Sequence, residues 1–198
     1  LSALAISREH YRKRKILKGT PPSYSVNRSH AKRLIQKARK EKRDLILPEA
    51  FQMLQAYGIP IANYQVVHQE ADLIKALDRI KSPVALKVIS PEISHKSDVG
   101  GVALNIHSLP EAEKIFDKFR KLAPGRRPGV LVQKMILGGK EVILGAKRDP
   151  SFGPVVLFGL GGIYVEVLKE TSLRVAPITR SEAEEMILEL KAATILKG

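Results

Sequence analysis

The chain has 198 residues, 34 Lys/Arg against 20 Asp/Glu, and no cysteine. That length supports one good-sized core or two small ones, and the missing cysteines exclude disulfides and thiolate metal sites and point to an intracellular setting. No apolar run approaches the roughly 20 residues that span a bilayer, and no signal-peptide core is present, so a membrane protein is not expected.

Residues 1–43 hold 14 Lys/Arg with only Glu9 and Glu41 opposing them, whereas residues 44–198 hold 20 Lys/Arg and 18 Asp/Glu. The formal net charge of +14 therefore belongs to the N-terminal segment, which argues against nucleic acid as the partner of the main body. An aromatic content of 5% also leaves little for stacking on single strands. LSALAISREHYRKRKIL, starting on Leu1 rather than Met, reads as the end of a helix in a longer polypeptide. GTPPSYS (Gly19–Ser25) is a breaker cluster, and a thinly apolar basic helix follows from Ser29 to Arg43, with Ala31, Leu34, Ile35 and Ala38 as its stripe. The expected organisation is a basic linker at 1–43, a first unit at 44–137 and a second at 138–198.

In the first unit, LILPEAFQMLQAYGIP predicts a helix entered at Pro48 and ended by Gly58, with Leu54 and Tyr57 buried. ANYQVV predicts a strand. EADLIKALDRI predicts an amphipathic helix with Leu73, Leu77 and Ile80 inward. VALKVI and VALNIH predict strands, LPEAEKIFDKFRKLA a helix using Ile115, Phe119 and Leu122, and GVLVQKMI a strand. In the second unit, KEVILGAKRD, PVVLFGLG, IYVEVLKE and SLRVAPI predict four antiparallel strands joined by short loops. Ser181 is placed as the cap of a helix EAEEMILELKAATIL, with Glu184 completing a capping box.

Between VALKVI and VALNI lies SPEISHKSDVGG. His95 is the poised residue there: a neutral imidazole, with a pKa near 6.5, can attack phosphorus near neutral pH. Lys96 can balance phosphate charge, Asp98 can orient the ring or hold a metal, and Gly100 and Gly101 allow close backbone approach. The plainer reading is a solvated polar loop. Lys87, inside a buried strand, needs a partner for its charge, and a phosphate suits it; a snorkelling lysine is the alternative. Backbone of Gln133, Lys134 and Met135 can face a purine, and Glu141 a ribose hydroxyl; ordinary strand and turn is equally open. FGLGGIYVE, with Gly159, Gly161 and Gly162, is either a phosphate-covering hairpin or a tight turn. Glu166 and Glu170 fall on one side of a strand. Glu166 with Asp98 would suit Mg²⁺, which takes one or two carboxylates plus phosphate oxygens.

LKVISPEISHKSDVGGVALNI, VLVQKMILGGKEVILGAKRDPSFGPVVLFGLGGIYVEVLKE and LRVAPITRSEAE closely resemble the ATP-grasp domain of the ADP-forming (NDP-forming) acyl-CoA synthetases, typified by the acetate–CoA ligase (ADP-forming) beta chain. The match covers roughly residues 45–198. The resemblance implies an α+β ATP-grasp fold of two subdomains with nucleotide between them, ATP/ADP and Mg²⁺ as cofactors, and a cytoplasmic ligase. It implies the reaction acyl-CoA + ADP + phosphate ⇌ acid + CoA + ATP. A histidine on separate CoA-binding and ligase domains, fused or on an alpha chain, takes the phosphoryl group from an acyl phosphate, and His95 relays it to ADP. Lys87, Gln133–Met135 and Glu141 would surround the nucleotide, with the glycine loop over its phosphates. An oligomer is expected. The chain stops before the family's acidic ELD-N-P stretch, so an incomplete C-terminal part, inactive alone, is expected. The alternative is a non-catalytic ATP-grasp-like module of a protein lysine acetyltransferase fusion.

Overall fold

The computed structural model describes residues 19–93, 96–123, 129–162 and 171–197. The N-terminal helix end, the strand expected over 163–170 with Glu166 and Glu170, and His95 itself lie outside the described residues. Contacts divide the chain into two units, one covering Ser25–Leu137 and the other joining residues 19–24 to residues from Gly138 onward.

The first unit begins with α1 (Arg28–Lys40), capped by Asn27, whose side chain accepts from the His30 N–H at 3.0 Å. Its apolar stripe is as thin as the sequence suggests: Ala31, Leu34 and Ala38 are buried, while Ile35 is exposed. They pack on α2 (Leu47–Ala56), and the Asn27 N–H donates to Ala56 O at 2.8 Å. Pro48 sits in the first turn of α2, where a missing N–H costs nothing. Gly58 ends the helix at φ +76, a conformation favouring glycine. Tyr57, expected inside, is 48% exposed; it is the C-cap, past the last helical turn that could turn it inward.

Glu49 is the residue that the charge pattern hides. Its carboxylate is almost fully buried, and it accepts from Arg43 Nη1 at 2.6 Å, Arg43 Nη2 at 2.9 Å, Lys37 Nζ at 3.0 Å and the Ile46 N–H at 3.2 Å. The expected boundary at 43/44 therefore cuts across a buried ion pair. Basic composition and structural separation are different things here: residues 28–43 are part of the first unit.

β1 (Tyr64–Val67), β2 (Val84–Ile89), β3 (Val102–Ile106) and β4 (Gly129–Lys134) form one antiparallel sheet in the order β1-β4-β2-β3. α3 (Glu70–Ile80) and α4 (Leu109–Leu122) cover one face. Val84, Leu86 and Val88 of β2 and Val130 and Val132 of β4 meet Leu73, Ala76, Phe116 and Phe119 there. Ile115 and Leu122, expected in the core, pack at its margin, and Phe116 takes the centre. By the two-residue period of a strand, Ala85 and Lys87 of β2 and Leu131 and Gln133 of β4 point to the other face. Phe51 of α2 reaches that face at β1, edge-on to Tyr64 with ring centroids 5.0 Å apart.

The second unit is a three-stranded antiparallel sheet, β5 (Val142–Asp149), β6 (Gly153–Leu160) and β7 (Thr171–Val175). Phe158 and Leu160 pack on Met186, Leu190 and Ala193. α5 (Arg180–Leu188) is capped by Thr179 with Glu182, two residues before the expected Ser181–Glu184 box. The long helix expected after it is broken into a 3₁₀ turn, Lys191–Ala193, and a short α6, Thr194–Lys197. Arg174 pairs with Glu189 and Glu185, and Ser172 Oγ donates to Glu189 at 2.8 Å, fixing β7 to this helical layer. Among the described residues no helix is long and apolar enough to cross a membrane.

Candidate functional site

In the first unit the sheet register makes Lys87 and Gln133 diagonal neighbours on the face away from the helical core: Gln133 pairs with Ala85, and Lys87 with Leu131. Lys87 Nζ donates to Gln133 Oε1 at 2.8 Å. Lys87 lines a cavity of about 500 Å³ with Leu47, Lys96, Ser97, Asp98, Val102 and Leu104. Burial, and then the charge of Lys96, pushes the Lys87 ammonium below the ordinary lysine value of 10.5. Among the described residues no carboxylate forms an ion pair with Lys87 or Lys96. Two cations thus share a cavity with one carboxylate, which is the electrostatics of an anion site.

The loop carrying Lys96–Asp98 is held by the glycine pair. Gly100 has φ +67 and its N–H donates to Ser97 O at 3.1 Å; the Gly101 N–H donates to Lys96 O at 2.7 Å. A Cβ at Gly101 would come within 2.5 Å of Val88 Cγ1 and 3.0 Å of Lys96 O. These glycines therefore close the loop onto the core rather than only baring backbone to a ligand. Gly101→Ala should cost about 1–3 kcal/mol through overpacking against Val88, visible as a lowered urea midpoint with an unchanged slope, and should weaken ligand binding by displacing Lys96.

The Lys134 side chain turns away from the cavity: its Nζ donates to Lys81 O and Ser82 O, both at 3.1 Å. That side chain braces the turn before β2. Its backbone closes the strand, with the Lys134 N–H on Asn63 O at 2.8 Å and the Met135 N–H, just past the strand, on Pro83 O at 3.1 Å.

The second unit gathers Glu141, Gly159, Gly161 and Gly162. Val142 pairs with Leu160 and Ile143 with Gly159, so Glu141 falls opposite the glycine turn, where the Gly161 N–H donates to Glu141 O at 2.7 Å. A Cβ on Gly161 would lie 2.9 Å from Glu141 Cβ, and one on Gly162, at φ +59, 2.7 Å from Glu141 Oε2. The glycines seat the Glu141 carboxylate. Leu47, Ser97, Val102 and Leu104 were not singled out in the sequence; only the closing of the loop onto the sheet brings them to the cavity.

An ATP-grasp domain model matches residues 25–198. This chain belongs to the ATP-grasp family. Its relatives place it among the ADP-forming acid–CoA ligases. It is 47% identical over 173 residues to acetate–CoA ligase (ADP-forming) I subunit beta of Pyrococcus furiosus, covering 85% of this chain and 75% of that subunit. It is 48% identical over 179 residues to acetate–CoA ligase (ADP-forming) I of Archaeoglobus fulgidus, covering 88% of this chain and 26% of that protein. The ATP-grasp domain thus spans three-quarters of a beta subunit but about a quarter of a single-chain ligase. A solved structure of Ca. Korarchaeum cryptofilum dinucleotide-forming acetyl-coenzyme A synthetase 1 superposes with TM-score 0.70 at 40% identity, covering 85% of this chain and 74% of that one. It holds coenzyme A and Mg-AMPPCP, with a phosphohistidine segment pointing towards the nucleotide-binding site. The family model begins at residue 25, before the basic helix, in agreement with the buried Arg43–Glu49 pair.

Proposed function

We propose that this ATP-grasp domain is the nucleotide-binding part of a cytoplasmic ADP-forming acid–CoA ligase, catalysing acyl-CoA + ADP + phosphate ⇌ acid + CoA + ATP together with CoA-binding and ligase domains. Those domains are fused to it or supplied by an alpha chain, in an oligomeric assembly. The observation that carries the reading is the unneutralised Lys87–Lys96 pair in one cavity with Asp98, on the loop whose sequence contains His95. Lys87 and Lys96 hold nucleotide phosphate oxygens. The His95 imidazole takes the phosphoryl group as its P–N bond to the partner domains' histidine breaks. The terminal ADP oxygen then takes it from His95, returning a free imidazole. Glu141, seated on the glycine turn, binds ribose hydroxyls, and backbone of Gln133–Met135 faces the base.

Mg²⁺ takes one or two carboxylates plus phosphate oxygens. The first unit offers Asp98 in the cavity beside Lys87 and Lys96, a single carboxylate of the kind that suits an ion held chiefly through the nucleotide. Asp98 would hold it, and it would supply charge neutralisation on the phosphates. The relatives found are CoA ligases, which supports this reading over a non-catalytic module of an acetyltransferase fusion.

The test is phosphoryl transfer from γ-labelled ATP with Mg²⁺ to the intact ligase. Acid-labile, base-stable label on the wild-type ATP-grasp segment, lost in His95→Ala, is expected. Wild-type labelling in His95→Ala would overturn the relay.

A further inference from the structure

The side chain of Gln133 is not committed to the base. Its Oε1 lies 2.8 Å from Lys87 Nζ, 46 residues away in sequence, and since an ammonium only donates, the amide oxygen must be the atom that faces it. The groups around Lys87 are otherwise Leu131 and Gln133 from β4, Val102 and Leu104 from β3, Leu47 from α2, and Lys96 and Asp98 from the loop.

A carboxylate at position 133 would make the same hydrogen bond and cancel the charge. A neutral amide holds the ammonium in place and leaves its charge available. We infer that Gln133 is a positioning residue: it fixes the Lys87 ammonium through an uncharged acceptor so that the Lys87–Lys96 pair keeps its full positive charge for the phosphates of a nucleoside diphosphate. This rests on the phosphate role of Lys87 proposed above.

The experiment compares ADP, pyrophosphate and adenosine binding by calorimetry on the intact protein at several ionic strengths. The proteins are wild type, Gln133→Glu, Gln133→Met and Lys87→Met. Gln133→Glu should weaken ADP and pyrophosphate about tenfold or more, leave adenosine unchanged, and flatten the salt dependence because one net charge is gone. Gln133→Met, which keeps volume but removes the acceptor, should show the same selective loss without flattening the salt dependence. Equal losses for adenosine and ADP would overturn the inference, because they would place the side chain on the base. Unchanged pyrophosphate affinity in both Gln133 variants would also overturn it. Lys87→Met separates the two layers. If it binds pyrophosphate as wild type does, the phosphate role of Lys87 itself fails; if it loses pyrophosphate while the Gln133 variants keep it, only the positioning role fails.

Discussion

Lys87→Ala should lower ADP affinity by at least about 30-fold, the loss expected on truncating one partner of a buried charge pair, and should abolish an alkaline rise in the stability of the fold. The two effects have one cause. Lys87 sits in a strand whose neighbours are buried, and its pKa is lowered first by that burial and then by Lys96. Without ligand the ammonium is a burden on the folded state. Its sign is definite: the unfolded chain binds this proton more tightly than the folded one, so stability rises as pH climbs from the lowered value through 10.5. Alanine removes both the burden and that rise. Calorimetric ADP titration and urea unfolding at pH 7 and above 10 check the two halves. A variant that keeps the alkaline rise in stability and still binds ADP as wild type does would contradict the account.

Glu49→Ala should destabilise the first unit by about 3 kcal/mol. The Arg43 hydrogen bonds, with those from Lys37 and the Ile46 N–H, hold the Glu49 carboxyl at about 2 against an ordinary 4.5, and burial opposes them only partly. The side chains are 7% and 13% exposed for Glu49 and Arg43. Losing the carboxylate leaves the largely buried Arg43 guanidinium with only the more exposed Glu41, at 2.6 Å, and the Asp44 carbonyl, at 2.8 Å, as partners. For a depressed carboxyl the stabilisation is complete above 4.5 and drains away as pH falls toward 2. Wild type should therefore lose stability across that window, and Glu49→Ala, already without this term, should show a shallower loss. Denaturant unfolding at pH 7, 4 and 3 reads both.

The strands and α3 were legible because local pattern decided them: Leu73, Leu77 and Ile80 repeat at helical spacing, and VALKVI has the continuous apolar character of a buried strand. The fold family was legible as a resemblance, carried by stretches such as LKVISPEISHKSDVGGVALNI rather than by any local physical rule. What stayed hidden depends on long-range meeting. No local rule pairs Lys87 with Gln133, because that contact exists only once β2 and β4 adopt their register. Lys134 looked equivalent to its neighbour but alternates to the opposite side of the strand and finds carbonyls. Glu49 was masked by the charge step at 43/44: a lone acid beside a basic run reads as a boundary until the fold buries it. Thr179 won the cap from Ser181 because its hydroxyl and its N–H both meet Glu182.

The stretch RSHAKRLIQKARK is rich in the Lys and Arg bonds that trypsin cleaves, but trypsin needs an extended substrate backbone in its cleft. Here Arg28–Lys40 is wound into hydrogen-bonded turns, capped at one end by Asn27 and seated on α2 through Ala31, Leu34 and Ala38. Presenting any of its bonds to a protease requires opening the helix and exposing that seam. In a timed digest read by mass spectrometry, peptides ending inside Arg28–Lys40 should therefore appear late, together with loss of the folded unit. Trimming the protein at residue 44 to shed its positive charge would remove a structural layer rather than a tail.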